Sequence, residues 1–154
     1  MDIPHGITGF IHRKEQPLQN KTDLHRFLQC SYTAAILCKG EVIEANMDGD
    51  SASHSYGTLV IKLPRKSVAV AINHIYPIIA FAEPEHRWSD PQFIDCPLLA
   101  KTYRSFGYDQ ILSAEEANQT PEKKMYQHLS KYELKEISYW QPRKVGQIIF
   151  NWWD

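Results

Sequence analysis

With 154 residues, 43% of them hydrophobic and 12% aromatic, the chain is long enough for one well-formed core and too apolar for wholesale disorder. A formal net charge of −1 leaves no global electrostatic footprint for a nucleic acid or an anionic membrane surface. Its longest apolar run, residues 69–82, is interrupted by Asn73, His74 and Pro77 and is too short to span a bilayer. Three cysteines, Cys30, Cys38 and Cys96, cannot all pair with one another and match no zinc spacing, so a reducing cytoplasm is the simplest setting. The opening MDIPHGITGF has neither the basic nor the apolar region of a signal peptide.

Ile7, Phe10 and Ile11 around Gly6 and Gly9 predict a short first strand over residues 5–12, followed by a polar loop. Thr22 is placed to cap a helix over residues 23–29 that buries Leu24, Phe27 and Leu28. Residues 32–38 and 42–47 read as the two arms of a hairpin turned at Lys39-Gly40. A polar connection, residues 48–55, leads to a third extended run over 56–63. Residues 67–73 and 75–81 are apolar and β-branched enough for central strands, with Pro77 arguing for an edge or bulge in the second. A polar loop over 83–91 carries Trp88. Pro97 is placed at the first turn of a helix reaching Phe106, and residues 108–112 read as extended.

Two capping boxes follow, Ser113-Ala114-Glu115-Glu116 and Ser130-Lys131-Tyr132-Glu133, with a further helix start at Thr120-Pro121 between them. In the second box the Ser130 hydroxyl accepts from the Glu133 amide and the Glu133 carboxylate reaches back to the Ser130 amide. Leu134, Ile137 and Trp140 then share one buried helical face, and Pro142 ends the helix near Trp140. Residues 145–153 hold β-branched and aromatic side chains around one glycine and read as a final strand. The predicted fold is α+β: a single domain over residues 1–154, a mainly antiparallel β-sheet with helices packed on one side, and a C-terminal strand.

The tail carries a pattern as well as bulk. Tyr139, Trp140, Pro142, Gly146, Ile148, Ile149, Phe150, Asn151, Trp153 and Asp154 resemble the C-terminus of small bacterial immunity proteins of contact-dependent growth inhibition and related polymorphic toxin systems. The opening Gly6-Ile7-Thr8-Gly9-Phe10 and the middle stretch from Asn73-His74-Ile75-Tyr76-Pro77 to Phe81 look like further shared pieces, so the resemblance spans most of the chain. It falls on scaffold residues. It implies a cytoplasmic, non-enzymatic protein that neutralises a cognate toxin domain, most simply a nuclease, in a tight one-to-one complex. No cofactor, nucleic acid or membrane is expected as a partner.

Local charge suggests where such a partner would sit. Between Lys39 and Lys62 there is no Lys or Arg, while Glu41, Glu44, Asp48 and Asp50 all fall there, with His54 closing the loop. An acidic surface of this kind complements the basic substrate face of a nuclease; the competing reading is a solvated loop. A second cluster joins Glu83, Glu85 and Asp90 to His86 and Trp88, where Trp88 serves as an interface anchor if exposed and as core if packed. Asn46-x-Asp48-x-Asp50 starts like a calcium loop, but glycine falls at Gly49 and no Glu occupies the twelfth position, Gly57, so no metal is expected. His74, inside an apolar run, reads as a satisfied core histidine. The alternative function is a small enzyme acting on a nucleotide or peptide, with Cys96 or a histidine as its reactive group. Its mark would be a deep pocket in which a histidine lies within hydrogen-bond reach of a cysteine or carboxylate.

Overall fold

Strand β3 (Ser67–Asn73) shows how the molecule is layered. Its side chains alternate between two faces, and both faces are buried: Val68, Val70 and Ile72 point one way, Ala69 and Ala71 the other. Strand β4 (Ile78–Ala82) repeats the pattern, with Ile79 and Phe81 on the branched face and Ile78, Ala80 and Ala82 on the small one. These observations come from a computed structural model that describes residues 1–10, 22–47, 55–85, 88 and 90–153.

Four more strands complete the sheet: β1 (Glu41–Asn46), β2 (Tyr56–Lys62), β5 (Phe93–Ile94) and β6 (Gln110–Ile111). The order is β1-β2-β3-β4-β5 with every neighbour antiparallel, and β6 pairs parallel with β4. Helices α1 (Leu24–Leu37) and α2 (Pro97–Ser105) cover the branched face, where Phe27 and Tyr103 stack at 5.6 Å. The small face receives the N-terminal segment and four further helices, α3 (Ala114–Asn118), α4 (Lys123–Tyr126), α5 (Lys131–Trp140) and α6 (Val145–Ile149). Alanines at 69, 71, 80 and 82 let that layer approach the sheet closely, and each fully buried Ile, Val or Phe on either side contributes about 1.5–3 kcal/mol. No helix among the described residues is long and apolar enough to cross a membrane.

The α+β class and the antiparallel sheet are as expected, but three details differ. Helices lie on both faces, not one, because β3 and β4 are apolar on both sides and each side needs cover. The expected C-terminal strand is instead helix α6: Val145, Ile148 and Ile149 fall on one buried helical face, and the Gln147 side chain accepts from the amides of Arg143 and Lys144 at 2.8 and 3.0 Å to start it. Residues 32–38, expected as a strand, instead form the second half of α1 up to Leu37 and its C-cap Cys38, with Ser31, Ala34, Ala35 and Cys38 buried. Strand β1 therefore pairs with β2.

Smaller shifts have local causes. Asp23, not Thr22, caps α1 by accepting from the Arg26 amide, and the Thr22 hydroxyl donates to the carbonyl of Asn73. Gly6 and Gly9 adopt φ of 84° and 80°, so residues 5–8 turn where a strand was expected, and residues 11–12 lie outside the described residues. Pro77 sits just before β4 rather than within it. Both capping boxes form as expected.

Candidate partner-binding groove

Buried polar side chains hold the two ends of the chain against the sheet. The Glu133 carboxylate, fully buried, accepts from the Ser130 amide at 3.2 Å, as its capping box requires. It also accepts from the amides of Gly6 at 2.9 Å and Thr8 at 3.2 Å and from the Thr8 hydroxyl at 2.6 Å. Asn73, buried at the end of β3, donates to the carbonyls of Ile7 and Ile149 and accepts from the amides of Ile75 and Tyr76. Asn151 donates to the carbonyls of Thr8 and Ile148. Buried polar groups paired in this way rigidify a core, whereas unpaired ones are costly. Nothing local in the sequence marks Glu133 for its contacts with Gly6 and Thr8, 127 and 125 residues away.

On this frame, the sheet face beneath the N-terminal layer is left open towards β1. Glu44 stands opposite Val60, and Asn46 opposite Thr58, all on that face, while Val42 turns to the helical side beneath α1. A register shift between Val42 and Glu44 puts one extra residue, Ile43, into the edge strand and leaves it 53% exposed. The chain leaving β4 returns over the open face through Pro84, Glu85 and Trp88. Together they enclose a groove of about 300 Å³ lined by Glu44, Asn46, Thr58, Val60, Glu85 and Trp88, among others.

Two acidic stretches that are far apart in sequence thus meet at one place. Neither Glu44 nor Glu85 has a cationic partner among the described residues, and both are exposed. Trp88 combines the two readings considered for it. It is half-buried, packs on Tyr56, Phe93 and Phe150 at centroid distances of 5.6, 6.2 and 6.4 Å, and also lines the groove. Burial raises the Tyr56 hydroxyl well above the usual phenol range.

The other expected site residues lie elsewhere. Glu41 is exposed at the start of β1, opposite Lys62. Glu83 is half-buried, with its amide bonded to the carbonyl of Gln92. Asp90 lines a different cavity and lies 3.9 Å from the ammonium of Lys144. Asp48, Asp50, His54 and His86 lie outside the described residues. Asn46, Thr58 and Pro84 were not anticipated; the first shares a face with Glu44 by strand alternation, but nothing local signals the approach of the other two.

Among the described residues, no group of three or more His, Cys, Asp or Glu side chains is placed to hold a metal ion. His74 is buried, with its Nε2 2.8 Å from the carbonyl oxygen of Met47, which is the satisfied core histidine expected. Cys96 is 6% exposed and lines a separate cleft of about 370 Å³ with Asp95, Arg104 and Glu116; no histidine lies in the described lining. Comparison with protein-family models, curated protein sequences and solved structures finds no match to this chain.

Proposed function

We propose that this chain is a non-enzymatic, cytoplasmic immunity protein that binds a cognate toxin domain, a nuclease, one-to-one and neutralises it. The observation that carries the reading is the convergence of Glu44, Glu85 and Trp88 on one groove. Two carboxylates with no cationic partner among the described residues, beside a partly exposed indole, offer what a basic substrate-binding face requires: complementary potential for encounter and an aromatic anchor for retention. The tail's resemblance to immunity proteins supports the same reading. The polar contacts that fasten both chain ends to the sheet suit a surface already shaped before its partner arrives, because a rigid surface loses less entropy on binding.

The test is co-expression with the C-terminal domain of a large secreted protein encoded beside this chain's gene. Cells carrying the pair should survive induction of that domain, and the purified proteins should form a one-to-one complex. Reversing Glu44 and Glu85 to Lys should slow association, weaken binding by roughly tenfold or more and leave thermal stability within about 0.5 kcal/mol, since both side chains are exposed and have no cationic partner among the described residues. Unaltered affinity in the double variant would remove the groove from the interface, and failure to protect would remove the function.

A further inference from the structure

A second cavity, with a lining separate from that of the acidic groove, is built from the tail. Helix α5 ends at Trp140, Gln141 adopts a left-handed turn at φ 48°, and the chain returns so that Trp152 and Trp153 come against Trp140. The Trp140 and Trp153 rings are parallel within 3° at 6.4 Å, and Trp152 stands edge-on to Trp140 at 5.1 Å. Trp153 is buried, whereas Trp140 and Trp152 are only half-buried. With Asp90, Gln141 and Arg143, these indoles line a cavity of about 300 Å³, at the small end of the range for small-molecule sites.

The charges around the cavity determine which ligand fits it. Asp90 faces the Lys144 ammonium at 3.9 Å, and Glu136 accepts from the Trp140 indole N–H at 3.1 Å, so both acids are engaged. Arg143 is held through its backbone amide by Gln147, but its exposed guanidinium has no partner among the described residues. A free guanidinium presents a planar fork of donors that matches a phosphate or carboxylate, and an indole face takes a flat unsaturated ring.

We infer that this tail cavity binds a small ligand in which a flat ring carries an oxyanion, the ring lying on the Trp140–Trp152 surface and the oxyanion on Arg143. A mononucleotide and an aromatic carboxylate share that chemistry. This site is distinct from the acidic groove and does not depend on the immunity reading.

Three of the four tryptophans surround the cavity, so intrinsic fluorescence reports on it directly. The full chain, carrying Trp88→Phe to silence the remaining indole, is titrated with AMP, with adenosine and with benzoate. Saturable quenching by AMP or by benzoate is expected, and which of the two binds identifies the oxyanion. If AMP binds, adenosine should bind about tenfold or more weakly, because it lacks the charged group that Arg143 bonds. Arg143→Ala should reduce the bound anion's affinity by a similar factor without moving the melting temperature, since its exposed side chain has no partner among the described residues. Absence of saturable quenching by both anions, or binding that Arg143→Ala leaves undiminished, overturns the inference.

Discussion

Replacing Glu133 with Ala tests the central structural claim, that one carboxylate fastens the N-terminal turn to α5. The substitution removes the acceptor for four donors at once: the amides of Gly6, Thr8 and Ser130 and the hydroxyl of Thr8. Each buried donor left without a partner costs about 1–3 kcal/mol. The Thr8 hydroxyl can rotate, and the Ser130 amide lies near the helix end, where water can replace the carboxylate. Two amides in the interior, those of Gly6 and Thr8, then dominate, and the expected loss is about 3–5 kcal/mol. For a chain of this size that lowers the melting temperature by roughly 10 °C.

Urea unfolding followed by tryptophan fluorescence measures the loss directly, and amide exchange at Gly6 and Thr8 localises it. Glu133→Gln should fall between the two, since the amide oxygen still accepts while its NH₂ group faces donors. A Glu133→Ala variant within about 0.5 kcal/mol of the parent would refute the reasoning, because that is the range of an ordinary surface change.

Two further substitutions and a pH scan probe the packing. Gly146→Ala places a methyl group into the ring of Phe93, so a loss of about 1–3 kcal/mol is expected, and combining it with Phe93→Leu should recover part of it in a double-mutant cycle. Tyr56 and Tyr103 are held neutral by burial, and Ser31 lies 2.7 Å from the Tyr103 hydroxyl. Their folded pKa values are raised, so their stabilising contribution is complete below the ordinary phenol pKa of about 10 and is lost as pH rises beyond it, when the unfolded chain ionises and the folded one does not. The denaturation midpoint should fall more steeply above pH ~10 in the parent than in Tyr103→Phe; equal slopes would count against the buried assignment.

How much of this was legible in the sequence depended on the range of the interaction involved. Both capping boxes, the proline-led start of α2, the extended run of β2 and the apolar, β-branched run of β3 could be read, since each rests on residues within a few positions of one another. The end of α5 at Trp140 followed from Pro142 in the same way. The second half of α1 could not be read as helix: Tyr32, Thr33, Ile36 and Leu37 suit a strand, and the helix wins because Ser31, Ala34, Ala35 and Cys38 fit closely over the branched sheet face.

The tail shows the same division. Its β-branched and aromatic content suits a strand, but the small face of the sheet offered room for a short helix, with Gly146 admitting the Phe93 ring. An acidic bias between Lys39 and Lys62 was visible in the chain, and so was Trp88. That Glu44 and Glu85 share one groove, that Asp90 belongs to a different cleft, and that Glu133 bonds residues near the opposite end of the chain were decided only in three dimensions. Local sequence set the elements and their caps, because hydrogen bonds between near neighbours depend on little else. Tertiary packing chose the faces, the tail's conformation and the grouping of charges, because burial energy depends on which distant surfaces come together.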